Sequence, residues 1–391
     1  MSKTMAATYI KNARIVLETG VLSDGALLLE DGRIRDFGRA GEFAVPDGAN
    51  VIDAQDRYVG PGFVDIHVHG GGGAFFYQNP ERAVKHFLAH GETTILPTLY
   101  YDLGKAELCA AIERIKAYAG GGDAAARAVA GLYMEGPYMN PKYGACAEQN
   151  KWRGAIRPAD YGQLVDTAGT FAKVWALAPE REGIMPFMEY AKRVNPDVVF
   201  AVGHSEASPE QVGRLKKYGL RLQTHCMNAT GRAGRYAGTR GCGPDEACLL
   251  DDEMYAELIC DSCGIHVDPY MMRLIFKVKG SDRVVLITDS YVSEKPSAPE
   301  FRQVEDLVFD DNGQLNGSKL TMDVACKNMM AHTRCGIVDA FKMSSLNPAK
   351  AIGMADSIGS IARGKTANLV FADDAFQINQ VILGGKIWKS E

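Results

Sequence analysis

Two histidines two residues apart stand in the stretch Phe63-Val-Asp-Ile-His-Val-His69. In an extended strand, alternate side chains share a face, so Phe63, Asp65, His67 and His69 point to one side and Val64, Ile66 and Val68 to the other. Two imidazoles on one face reach the same ion, and imidazole suits zinc and iron. Other groups of this kind close further apolar runs: Glu135 after Leu132-Tyr-Met, His204 after Val198-Val-Phe-Ala-Val-Gly203, His225 after Leu222-Gln-Thr224, and Asp289 after Val284-Val-Leu-Ile-Thr288. A divalent ion held by imidazole and carboxylate polarises a carbonyl and brings the pKa of a bound water towards neutrality. A carboxylate beside it takes a proton from that water and hands it to a departing amine. Asp289 is the candidate for that carboxylate; the plainer alternative is a helix N-cap in Asp289-Ser290.

Something must bring these groups together. Short apolar stretches at Val64–Val68, Thr93–Pro97, Val129–Glu135, Val174–Leu177, Val198–Gly203, Arg221–Thr224, Tyr255–Cys260 and Arg283–Thr288 alternate with helical patterns such as Pro80–His90, Lys105–Tyr118, Gly183–Val194, Pro209–Lys217 and Pro269–Lys279. Eight strands with intervening helices predict an α/β fold, a parallel (β/α)8 barrel of the TIM type, in which working residues sit where strands end. That is where the six polar residues fall. The first 58 residues read instead as short β-prone runs broken by Glu30-Asp-Gly32 and Pro46-Asp-Gly48 turns, and the C-terminal stretch resumes that texture. Residues 1–58 and 347–391 are expected to build one small β-sandwich between them, with 59–346 as the catalytic barrel.

Of the 391 residues, 23% are charged and the formal net charge is −5, so there is no basic footprint for nucleic acid. No apolar run spans a membrane and no signal peptide is visible at the N-terminus, so a cytoplasmic protein without a membrane partner is expected. The nine cysteines are scattered, with one CxxC at Cys260–Cys263 and no second pair to complete a zinc knot. Reduced thiols are expected. Lys173 precedes its strand and reads as a solvated lysine, not as a carboxylated ligand.

The order HxH, Met134-Glu-Gly-Pro-Tyr138, Val202-Gly-His-Ser-Glu-Ala-Ser208, Thr224-His-Cys-Met-Asn-Ala229, Gly264-Ile-His-Val-Asp-Pro269 and Ile287-Thr-Asp-Ser290 resembles the amidohydrolase superfamily and, within it, the N-acetylglucosamine-6-phosphate deacetylase family. The resemblance covers nearly the whole chain. It implies that Glu135, His204 and His225 hold the main metal ion, that His67 and His69 hold a second, and that Asp289 is the catalytic aspartate. The ion it implies is zinc or iron, one or two per subunit. For a small N-acetylated sugar phosphate it implies contacts from Ala145, Asn228, Ala229, an arginine, His266 and the segment Leu315, Asn316 and Gly317. Acetate would be released, and the working form would be a homodimer.

The chain departs from the family pattern in three loops. The segment Asp261-Ser-Cys-Gly264 is lengthened, Thr230-Gly-Arg-Ala-Gly-Arg-Tyr236 presents Arg232 and Arg235 for the one phosphate arginine, and Cys146 follows Gly144-Ala145. These departures leave open an N-acetylated sugar without the phosphate, an N-acyl amino acid or a cyclic amide as substrate. Outside catalysis, the alternative is a silent metal-binding relative, against which an intact Asp289 beside a full ligand set argues.

Overall fold

The structure, a computed structural model, describes residues 7–389 apart from 146, 233, 235, 294–298 and 311. Strands Phe63–Val68, Glu92–Tyr100, Leu132–Glu135, Ala172–Leu177, Val199–Val202, Leu220–Gln223, Tyr255–Ile259 and Val284–Ile287 pair in parallel in that order. Helices cover their outer faces, so the first and eighth strands are buried along their whole length and carry no polar-out alternation. The barrel closes through groups at the site itself. Asp289 N donates to His67 O at 2.9 Å and His69 N donates to Ser290 O at 2.9 Å.

Five of the covering helices begin at a proline: Pro80–Ala89, Pro158–Ala168, Pro209–Leu215, Pro244–Leu250 and Pro269–Lys279. At the first helical position the missing N–H would have no partner in any case. Asn79 and Ser208 cap two of them by accepting from the N–H groups of Arg82 and Gln211. Among the described residues, no helix is long and apolar enough to cross a membrane.

Both ends of the chain meet in one eight-stranded sheet. Thr8–Leu17, Gly20–Glu30, Arg33–Arg39, Asn50–Asp53 and Tyr58–Pro61 are joined by Leu369–Ala372, Ile378–Leu383 and Lys386–Trp388. The expected sandwich is thus made from a single continuous sheet. Around Asn12, at φ 53°, the first strand breaks register. On the side away from Gly20–Glu30, it then pairs with Asn50–Asp53 at one end and with Tyr58–Pro61 at the other. The far edge returns through an Arg33–Thr366 bridge. Ile10, Ile15, Leu27, Leu29, Leu369, Phe371 and Ile382 fill the core of this unit, while Val16, Val370, Val381 and Leu383 join the barrel core. Because Tyr58–Pro61 pairs within this sheet, the chain enters the barrel at Gly62-Phe63, beyond residue 58. On the return, Asn347 still ties to the barrel through Ser281 O at 2.6 Å and Val284 O at 2.7 Å.

Phe63, Phe341 and Phe376 stack at the seam between the two units, with ring centroids 5.6–6.1 Å apart. Gly60 lies flat against this stack, where a Cβ would come within 2.2 Å of Phe341 Cε1. Gly60→Ala should therefore cost about 1–3 kcal/mol through overpacking, and Phe341→Ala about 3–5 kcal/mol through the cavity left behind. In urea unfolding, the double variant should lose clearly less than the sum, since the new methyl enters the space vacated by the ring. Strict additivity would show that the two residues do not share this volume.

Candidate metal centre and active site

The third strand ends in Glu135, which is 3% exposed, and four imidazoles from three other strand ends converge on its carboxylate. His204 Nε2 and His225 Nε2 lie 2.9 and 3.1 Å from Glu135 Oε1. On the other side, His67 Nε2 and His69 Nε2 lie 3.3 and 3.1 Å from Oε2. Asp289 Oδ1 completes that side, 3.2 Å from His69 Nε2 and 3.6 Å from His67 Nε2. Glu135 is thereby shared between two donor groups, one of Glu135, His204 and His225 and one of His67, His69, Glu135 and Asp289, each with its ligand atoms within 4.8 Å of one another.

The outer ring nitrogens decide what this cluster suits. His204 Nδ1 faces the carbonyl of Tyr143 at 3.2 Å and His225 Nδ1 that of Asn228 at 3.1 Å. His67 Nδ1 faces the carboxylate of Glu257 at 3.3 Å. Carbonyls and carboxylates only accept, so the hydrogen-bond network assigns the proton to Nδ1 and leaves the Nε2 lone pair pointing inward. Two such lone pairs, on His204 and His225, come within 3.0 Å of each other. His67 Nε2 is buried without any hydrogen-bond partner. Converging lone pairs beside a buried carboxylate fit a divalent cation, and the imidazole and carboxylate donors suit zinc or iron.

Where no cation is bound, protons on the inner nitrogens would balance the carboxylate of Glu135 instead. Burial would raise Glu135, yet the His67 charge and the hydrogen bonds of His204 and His225 hold it well below the usual carboxylate range. Burial would lower His69, but Asp289 and Glu135 outweigh it and raise the ring to about 9. Asp289 would likewise be raised by burial and is instead lowered by His69 and His67. His204, His225 and Asp289 all sit at positive φ, 44°, 32° and 46°. For residues with a Cβ this is sparsely populated backbone, of the kind held in place at working sites.

Above the cluster opens a cleft. Ala145, Asn228, Ala229, Leu315, Asn316 and Gly317 line it beside His69, Glu135, His204, His225 and Asp289. His266 stands behind the wall. Its Nδ1 is 3.0 Å from Asp261 Oδ2 and its Nε2 is 3.1 Å from Gly317 O, so it braces the Leu315–Gly317 segment. Burial would raise Asp261, but His266 and the N–H groups of Ile265 and His266 hold it at about 2. The lengthened loop is anchored at this carboxylate and by Ser262 Oγ on Asp306 at 2.8 Å. Arg232 is paired with Glu246 at 2.9 Å and does not line the cleft. Arg235 and Cys146 lie outside the described residues.

Several participants were not singled out from the sequence. Tyr100 and Tyr291 line the cleft, each packing edge-on against His69. Their signal was their position, at or just after a barrel strand end. Gly144, which the resemblance had placed with Ala145 among the substrate contacts, lies so close that a Cβ would meet His204 Nδ1 at 2.1 Å, which only a residue without a side chain allows. Glu257 is a lone acid in the middle of an apolar strand, and that placement was its signal.

The comparisons with known proteins follow the same outline. A model of the amidohydrolase family matches residues 58–388. An N-acetylgalactosamine-6-phosphate deacetylase of Escherichia coli O157:H7 is 30% identical over 393 residues, covering 97% of this chain and 99% of that protein. An N-acetylglucosamine-6-phosphate deacetylase of Bacillus subtilis (strain 168) is 29% identical over 404 residues, covering 97% and 96%. The crystal structure of N-acetylglucosamine-6-phosphate deacetylase from Pasteurella multocida aligns with a TM-score of 0.84 at 26% identity, covering 98% of this chain and 99% of that one. A match that runs from the last strand before the barrel, through the ligand-bearing strand ends, to the final strand of the terminal sheet means that this chain belongs to the amidohydrolase family.

Proposed function

We propose that this chain is a metal-dependent deacetylase that hydrolyses the acetamide of an N-acetylated hexosamine 6-phosphate, N-acetylglucosamine-6-phosphate foremost, to acetate and the amino sugar phosphate. The observation that carries this reading is the carboxylate of Glu135 set between two groups of imidazoles with Asp289 beside it. One or two divalent ions, zinc or iron, held there by Glu135, His204 and His225 and by His67 and His69, would supply Lewis-acid polarisation of the acetyl carbonyl and a water of lowered pKa. Asp289, kept ionised by His69 and His67, accepts the proton of the attacking water and returns it to the leaving nitrogen. The rigid strand ends hold these groups in place, and the cleft presents Asn228 and Asn316 to the sugar.

No lysine or arginine appears among the described residues that line the cleft. A 6-phosphate would draw its counter-charge from Arg232, Arg235 or, in the homodimer that the resemblance implies, a second subunit. The same observation favours a second reading, an N-acetylated sugar without the phosphate. A cytoplasmic setting accords with the free thiols of the eight described cysteines.

Amine release from metal-loaded protein, compared on N-acetylglucosamine-6-phosphate, N-acetylgalactosamine-6-phosphate, N-acetylglucosamine and N-acetyl amino acids, should show a strong preference for a phosphosugar. Turnover confined to unphosphorylated compounds would transfer the assignment to the second reading. Asp289→Asn should lower kcat by about 10²–10⁴-fold, the usual worth of general acid–base catalysis, with metal uptake retained. Near-normal turnover would remove Asp289 from that role. In chelator-stripped protein, His69 keeps its proton up to about pH 9. Metal must displace that proton, so apparent affinity should rise as pH rises from 6 towards 9 and fall as pH is lowered. Calorimetric titrations in buffers of different ionisation enthalpy would detect the released protons, and a pH-independent affinity would contradict the coupling.

A further inference from the structure

Glu257 sits at the centre of the seventh barrel strand, wholly buried, and has no part in the chemistry above. Its Oε2 lies 3.3 Å from His67 Nδ1. Tyr133 OH reaches its two oxygens at 3.2 and 3.3 Å, and Thr224 Oγ1 lies 2.6 Å from the same hydroxyl. The ring of Tyr133 lies against that of His67, with centroids 4.4 Å apart. Every member of this chain is tied to a metal-site residue. Tyr133 precedes Glu135 by two residues on the same strand, Thr224 directly precedes His225, and Glu257 touches His67 itself.

We propose that Glu257 is a positioning residue that holds His67 with its proton on Nδ1 and its Nε2 lone pair towards the shared carboxylate, and so sets the affinity of the His67–His69 cation position. His204 and His225 are oriented by backbone carbonyls. His67 depends on a side chain, and a negatively charged one. A carboxylate accepting the outer N–H both orients a ligating imidazole and raises its basicity, which is commonly worth 10–100-fold in metal affinity. The Glu135–His204–His225 position has no contact with Glu257 among the distances above. It should be indifferent to the change.

The proposal rests on the cluster holding two cations, and the test separates the two claims. Whole protein stripped by a chelator is titrated with Zn²⁺ by calorimetry, with the metal content checked after gel filtration. Wild type should take up two ions. Glu257→Gln keeps the shape and removes the charge. One ion should bind unchanged and the other about 10–100-fold more weakly, and the weakened ion should be the one that His67→Asn also loses. Two ions of wild-type affinity in Glu257→Gln would overturn the role of Glu257 alone. A single ion in wild type would overturn it together with the two-cation reading, and equal weakening of both ions would mark general damage to the barrel and overturn it too. Should Glu257→Gln fail to fold by circular dichroism, Tyr133→Phe removes a donor from the same carboxylate and leaves the ring against His67. It should weaken the same ion by a smaller factor, and unchanged binding of both ions would overturn the proposal.

Discussion

One carboxylate shared among four imidazoles is the interaction on which the rest of this structure depends. Taking an ionised Glu135 out of water costs several kcal/mol unless positive charge comes with it. At 3% exposure, solvent supplies none. The charge has to come from protons on the imidazoles or from cations between them, and the outward Nδ1 hydrogen bonds favour cations by leaving every assigned lone pair on the inner side. The geometry of the neighbours follows. Gly144 must lack a side chain for the loop to carry the Tyr143 carbonyl to His204, and Met227 and Ala229, at φ 68° and 51°, turn the chain so that the Asn228 carbonyl meets His225.

The same residues that hold the cluster also complete the barrel. The first and eighth strands are tied by Asp289 N to His67 O, His69 N to Ser290 O, and Thr288 Oγ1 to Asp65 Oδ2. Each belongs to a ligand, to the proposed catalytic aspartate or to a residue next to one of them. Moving Asp289 relative to the imidazoles therefore means opening the barrel seam. That is the kind of rigidity a site needs when its groups must be placed within a fraction of an ångström.

What was legible beforehand was whatever is written in local periodicity. Short apolar runs located all eight strands, and a closing acid or imidazole marked five of them, because a strand buried on both faces shows as a continuous apolar run and its polar terminus stands out. The glycines at 70–73 answer to a partner outside their own stretch. In the structure, Cβ atoms on Gly71 and Gly72 would stand 2.7 and 2.9 Å from atoms of His86, so the run exists to let the helix Pro80–Ala89 approach. Roles set by long-range partners left no local trace. The resemblance grouped His266 with the substrate contacts, yet Asp261 and Gly317 turn it into a brace. Tyr133 and Thr224 look like ordinary strand residues until Glu257 and His67 are placed beside them.

The two ends of the first barrel strand divide the labour of the molecule. Phe63 opens it in the aromatic seam with Phe341 and Phe376, under the terminal sheet, while His67 closes it in the cluster. Four residues of strand separate them by about 13 Å. That is too far for direct contact, yet every residue between is fully buried and close-packed. The three left-handed residues at the upper end each carry roughly 1–3 kcal/mol of strain. Apolar burial supplies the opposing free energy, and the terminal sheet adds to it where Val16, Val370, Val381 and Leu383 join the barrel core. A barrel trimmed of that sheet would expose these contacts while keeping every ligand. The loss would act on the strained strand ends, and so on His204, His225 and Asp289, which they carry.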